Sequence, residues 1–170
     1  MTAAPPTALE LTLVEIERYA DGAGWDRPPR LFALVDTQEL LAREPALAAQ
    51  DDPPSGPYTP VEQDDLPEGP LDEALARVMW PDGVSGCALV HEVLVLPPDV
   101  EAARPDTEDA QEYALGHPDR REVRLAVAVL ADGTSASAVR LRSPGDAPDE
   151  LLFGTDLAPN LTAALLATFG

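Results

Sequence analysis

The sequence predicts an α+β fold: a mostly antiparallel sheet of about four strands, at 31–36, 87–96, 122–130 and 134–142, packed by N- and C-terminal helices. Three observations lead to it. A run near the N-terminus repeats apolar residues at helical spacing behind a capping signal. Residues 87–96 are apolar on both alternating sets, the pattern of a strand buried on two faces. Two alternating runs flank Ala131-Asp132-Gly133, the composition of a hairpin loop.

The first helix follows from Thr7-x-x-Glu10, a capping box, and from Leu9, Leu13, Ile16 and Ala20 along one stripe. Asp21-Gly22 and Gly24 end it. The next stretch, Gly24–Thr37, hands the helix to the first strand. Its two prolines fix φ and hold the chain extended, and Trp25 is expected to pack beneath the first helix. Asp36 then caps a short helix that carries Leu40 and Leu41 to about Arg43.

Residues 50–69 are rich in proline, acid and glycine and are expected to be a surface loop. Pro70 opens a third helix with Leu71, Leu75, Val78 and Met79 as its apolar stripe. A helix over 107–116, capped by Asp106 or Thr107, follows the central strand. In the hairpin, a two-residue turn would mix charged and apolar side chains on one face. A three-residue loop with Gly133 left-handed instead sets Val123 opposite Leu141 and Leu125 opposite Val139. That register leaves Arg124 facing Arg140 and calls for a nearby acid. Residues 143–154 read as a loop with a brief apolar run, Leu151–Phe153. Asp156 is expected to cap a last helix carrying Leu157, Leu161, Ala164, Leu165, Thr168 and Phe169 on one face. The whole, residues 1–170, is expected to be one domain.

Charge narrows the functional classes. Thirty-one acids against 11 arginines and no lysine give a net charge of −20. Such a surface repels phosphate backbones and anionic membranes, so neither nucleic acid nor membrane is an expected partner. No apolar run approaches the ~20 residues of a membrane span, and the N-terminus lacks the basic and apolar segments of a signal peptide. The expected location is the cytoplasm. Cys87 is the single cysteine, which excludes an internal disulfide and any multi-cysteine zinc site.

Chemistry-bearing motifs are scarce. There is no Gly-x-Ser-x-Gly, no phosphate loop and no Gly-x-Gly-x-x-Gly. No cofactor, catalytic residue or metal ligand set is therefore assigned. His91 and Glu92, the polar pair of the central strand, are the polar site candidates. Cys87 and His91, four residues apart on a strand, lie about 13 Å apart, too far for a nucleophile–base pair. Asp51, Asp52, Glu62, Asp64, Asp65 and Glu68 could gather a hard cation, although their spacing is not that of an EF-hand. Trp25, Tyr58 and Trp80, scarce large aromatics in or beside loops, are the interaction candidates.

The wording GWDRPPRLFALVDT, followed by LLAREPALAAQ, LPEGPLDEALARVMWP and SGCALV, resembles a family of small acidic actinobacterial proteins of unknown function. The resemblance runs from about Leu9 to Phe169 and brings no catalytic or binding residues with it. Terminal helices flanking an antiparallel sheet are also similar in layout to the secretion-chaperone-like (YbjN-type) domains. The expected function is a non-enzymatic cytoplasmic protein-binding or accessory role, through a protein partner or self-association. The alternatives are a small enzyme using His91 or the acidic-loop carboxylates with a divalent metal, and a structural subunit of a complex.

Overall fold

A computed structural model describes the chain except residues 1–5, 52, 65, 67–68, 97–98, 100–101, 104, 106–112, 114–115, 144–146, 155–156 and 170. Helix α1 spans Ala8–Gly22. Its capping box forms: Glu10 N donates to Thr7 Oγ1 at 3.1 Å, and Thr7 N donates to Glu10 Oε1 at 3.2 Å. Strand β1, Arg30–Asp36, leads into α2, Thr37–Arg43, whose cap Asp36 accepts from Glu39 N at 3.0 Å. A 3-10 turn at Pro45–Ala49 follows. The remaining elements are β2 (Tyr58–Glu62), α3 (Leu71–Ala76), β3 (Val84–Val95), β4 (Arg121–Leu130), β5 (Ser135–Leu141), β6 (Glu150–Gly154) and α4 (Pro159–Ala167).

Among the described residues the sheet has six strands in the order β2-β1-β3-β4-β5-β6, every neighbouring pair antiparallel. The expectation of about four strands is therefore too low. β2 lies inside the stretch expected to be a loop at 50–69, and β6 lies inside the one at 143–154. Both are edge strands. An edge strand pairs on one side only, so it tolerates proline and polar residues that a central strand would not.

The two faces of the sheet carry separate apolar clusters. On one face α1 brings Leu9, Leu13 and Ile16 against Phe32, Leu34 and Val90 and a floor of alanines, Ala88, Ala126, Ala128, Ala136 and Ala138. Small side chains on the floor let the helix axis approach closely. On the other face Leu75 of α3 and Leu165 of α4 pack on Leu31, Cys87, Leu89, Val127 and Val129. The result is helix, sheet, helices in three layers. α3 is shorter than expected, and Met79, expected in its stripe, is 88% exposed. Leu157, expected on the inner face of the last helix, is also exposed. That helix begins at Pro159 with Ala158 in the cap position; Asp156 lies outside the described residues, as does most of the helix expected at 107–116.

The β4–β5 hairpin takes the three-residue loop. Leu130 N donates to Thr134 O at 2.8 Å, Gly133 has φ of 101°, and Val123 pairs with Leu141 and Leu125 with Val139. In β3, Gly86 sits where the register with β1 shifts, and a Cβ there would stand 2.2 Å from the carbonyl oxygen of Val129. Only glycine allows the backbones so close. Among the described residues no helix is long and apolar enough to cross a membrane.

Candidate functional site

A cleft of about 380 Å³ opens beside β2, between that strand, α1 and the residues Gln50, Pro53, Pro54, Ser55 and Gly56. The pleat explains its lining. Tyr58, Pro60 and Glu62 pair with Asp36, Leu34 and Phe32, so they share the face of the sheet that α1 covers. α1 contributes Glu15, Ile16 and Tyr19 to the opposite wall, and Phe32 forms part of the floor. Tyr19 meets Phe32 edge to face, with centroids 6.2 Å apart at 81°.

One wall of the cleft already holds a guanidinium. Arg30 donates to Glu62 through Nε at 2.6 Å and through Nη2 at 3.0 Å, a two-pronged pair. The same guanidinium carbon lies 4.6 Å from the Tyr19 ring centroid and 5.8 Å from that of Phe32. Tyr19 OH donates to Glu62 Oε1 at 3.3 Å. The hydrogen bonds from Arg30 hold the Glu62 carboxyl below its ordinary range, and Glu62 in turn raises Arg30. A carboxylate so neutralised is a recognition group, and it is a poor general base.

A second polar cluster lies at the C-terminal end of α1. Arg124 is 2% exposed; it donates to Asp21 Oδ1 at 3.2 Å and to the Gly24 carbonyl at 2.9 Å. Its guanidinium carbon sits 4.3 Å from the Trp25 centroid, with that of Arg142 at 5.3 Å. Trp25 Nε1 donates to Asp149 Oδ2 at 3.1 Å, and Asp149 Oδ1 accepts from Ser143 N at 2.8 Å; these bonds lower the Asp149 carboxyl, the one from Ser143 most. Glu92 accepts from Asp26 N at 2.8 Å and Arg27 N at 3.1 Å. It thereby secures a left-handed residue, Asp26 with φ of 66°. The donors and acceptors here are spent on one another, which makes the cluster a fastening between α1, β3, β4 and β5.

The sequence profile of the PPA1309-like protein family matches residues 9–170. The chain belongs to that family. No curated protein and no solved structure matches it.

In this member of the family the sequence candidates are scattered over the fold. Of the three aromatics, Tyr58 alone lines the cleft. Trp25 lies half-buried over the arginines of the fastening and is not among the apolar residues packed under α1. Trp80 donates through Nε1 to Thr168 Oγ1 at 2.8 Å and stacks on Phe169 at 6.1 Å, holding the end of α4. Glu92 serves the Trp25 loop. His91 pairs with Leu125 on the sheet face opposite the cleft, its buried Nδ1 has no hydrogen-bond partner among the described residues, and burial lowers its pKa.

Asp51, Glu62 and Asp64 are exposed, and Asp52, Asp65 and Glu68 lie outside the described residues. Among the described residues no group of three or more His, Cys, Asp or Glu is placed to hold a metal. Sequence reasoning passed over Arg30, Phe32 and Tyr19 as site residues. The available signal was the alternation Tyr58-x-Pro60-x-Glu62, which places an aromatic and an acid on one face once residues 58–62 are read as a strand.

Proposed function

We propose that this chain is a non-enzymatic cytoplasmic binding or accessory protein whose cleft receives a cationic side chain of a protein partner. The observation that carries this reading is the wall on which Arg30 is held by Tyr19, Phe32 and Glu62. Surface of the same chemistry continues into the open cleft through Tyr58 and Glu15. Aromatic faces attract a guanidinium or ammonium through their quadrupole, and carboxylates supply charge and hydrogen bonds. A net charge of −20 adds long-range attraction for a basic segment. Catalysis by His91 together with the acidic segment would need those groups in one pocket, and His91 faces the other side of the sheet from Glu62.

The test is a fluorescence-anisotropy titration with labelled arginine-rich, neutral and acidic peptides, on the wild type and on Tyr58→Ala. Saturable binding of the basic peptide alone, weakened about tenfold by Tyr58→Ala, is expected; tenfold corresponds to roughly 1.4 kcal/mol, an ordinary interface residue. Binding indifferent to Tyr58, or no binding of the basic peptide, overturns the assignment of the cleft.

A further inference from the structure

The two ends of the sheet are unlike. On β2, the bonds Gln63 N to Leu31 O and Thr37 N to Pro57 O fix which residues face β1. Alternation then turns Tyr58, Pro60 and Glu62 outward. The middle outward residue is a proline, which has no N–H to offer, so this edge is blocked. On the other side of the sheet, the bonds Leu130 N to Thr134 O and Arg142 N to Glu122 O show that even-numbered residues of β5 face β4. Ser137, Val139 and Leu141 therefore face β6 and engage Gly154, Leu152 and Glu150. Leu151 and Phe153 are left with their N–H and C=O groups pointing outward. Proline and lysine, the usual blocking residues, are both absent from β6. Leu152 is 47% and Phe153 55% exposed, on opposite faces of the strand, and Leu157 nearby is 43% exposed.

We propose that β6 is a self-association edge, on which two copies of this chain pair their β6 strands antiparallel about a two-fold axis at Leu152. The strand is self-complementary in that register. Leu151 of one copy stands opposite Phe153 of the other, and the two exchange both backbone hydrogen bonds; the same pair recurs across the axis. All the outward groups of Leu151 and Phe153 are then satisfied. Leu152 meets its own counterpart in the closer, non-hydrogen-bonded position. Glu150 faces Gly154, so no carboxylate opposes another within the pairing. Two six-stranded sheets become one continuous sheet, an isologous closed dimer.

Each copy carries a net charge of −20, so the dimer forms against mutual repulsion and strengthens as salt screens it. Sedimentation velocity on the full chain, across protein concentration and at low and high sodium chloride, reads this directly. A monomer–dimer equilibrium with more dimer at high salt is expected. Phe153→Pro transfers to β6 the device that β2 uses at Pro60, and Leu152→Asp sets two carboxylates against each other at the axis. Each is expected to raise the dimer dissociation constant at least tenfold, with helix and sheet content by circular dichroism unchanged. If Phe153→Pro does not fold, Leu152→Asp still decides. A wild type that stays monomeric at high concentration in high salt overturns the proposal, and so does a dimer indifferent to both substitutions. Neither result touches the peptide titration of the cleft, which lies at the other end of the sheet.

Discussion

Arg124 and Arg140 stand directly opposite each other on β4 and β5, and Glu17 of α1 is set between their guanidinium groups. Glu17 is 2% exposed. It accepts from Arg140 Nη2 at 2.7 Å and lies 4.0 Å from Arg124 Nη1, with Asp21 as a second acid. Removing Glu17 takes both of its hydrogen bonds from Arg140 and leaves Asp21 as the acid shared by the two arginines, at a cost toward the lower end of the about 3–5 kcal/mol of a broken buried ion pair. Glu17→Ala is therefore expected to lower stability by about that much in urea denaturation. A loss under about 1 kcal/mol would show that water enters and solvates the arginines, as at an exposed pair.

Trp25 tests the same fastening from its outer side. The ring lies over Arg124 and its Nε1 binds Asp149. Because it is half-buried, the loss on Trp25→Ala should fall short of the roughly 3–5 kcal/mol of a buried tryptophan. About 2 kcal/mol is expected, combining partial burial with a desolvated cation–π contact. Trp25→Phe keeps a ring but no indole N–H, and should lose about 1 kcal/mol. Equal losses for the two variants would assign the effect to the hydrogen bond alone.

How much of this was legible in the sequence depends on how local the signal is. Thr7 with Glu10, and Asp36 before α2, are caps whose partners lie within three residues, and both form as expected. The hairpin register was legible because only one loop length separates apolar from charged side chains, and the acid that the facing arginines call for is Glu17. The edge strands were not legible. Pro60 in β2 reads as a strand breaker until its outward position is known, and Leu151–Phe153 is too short a run to distinguish a strand from a loop. The cleft was hidden for the same reason: its walls come from α1, β1 and β2, and only the antiparallel register of β2 brings Tyr58 and Glu62 beside Tyr19.

His91 predicts a pH dependence with a definite sign. Its Nδ1 is buried without a partner among the described residues; burial lowers its pKa in the folded state below the ordinary 6.5, and Glu92 offsets this only in part. Below that pH the unfolded chain takes up a proton that the folded one refuses. This contribution is complete above about pH 6.5 and is lost as the pH falls from there through the folded pKa. His91→Leu removes both the titration and the unsatisfied nitrogen. The variant is expected to be more stable than wild type by about 1–3 kcal/mol, with the gap widening from pH 8 to pH 5.5 in chemical denaturation. A gap that stays constant over that range would mean that His91 titrates normally in the fold.

Cys87 lies on the same face of the sheet as His91, four residues along β3. Its Sγ is buried beneath α4, 3.9 Å from both the Leu165 carbonyl oxygen and Thr168 Oγ1, and burial pushes the thiol up to about 11. At pH 8 only about one thiol in a thousand would then be thiolate, the form that reacts. The native protein should be nearly inert to a neutral disulfide reagent; a neutral one is chosen because the protein's charge repels anions. Trp80 is placed to latch the end of α4 over Cys87, since it binds Thr168 and stacks on Phe169. Trp80→Ala should release that end and speed labelling at least tenfold under conditions where circular dichroism still shows a folded chain. If wild type and variant label equally slowly, α4 opens only in global unfolding, and Trp80 contributes packing without acting as its latch.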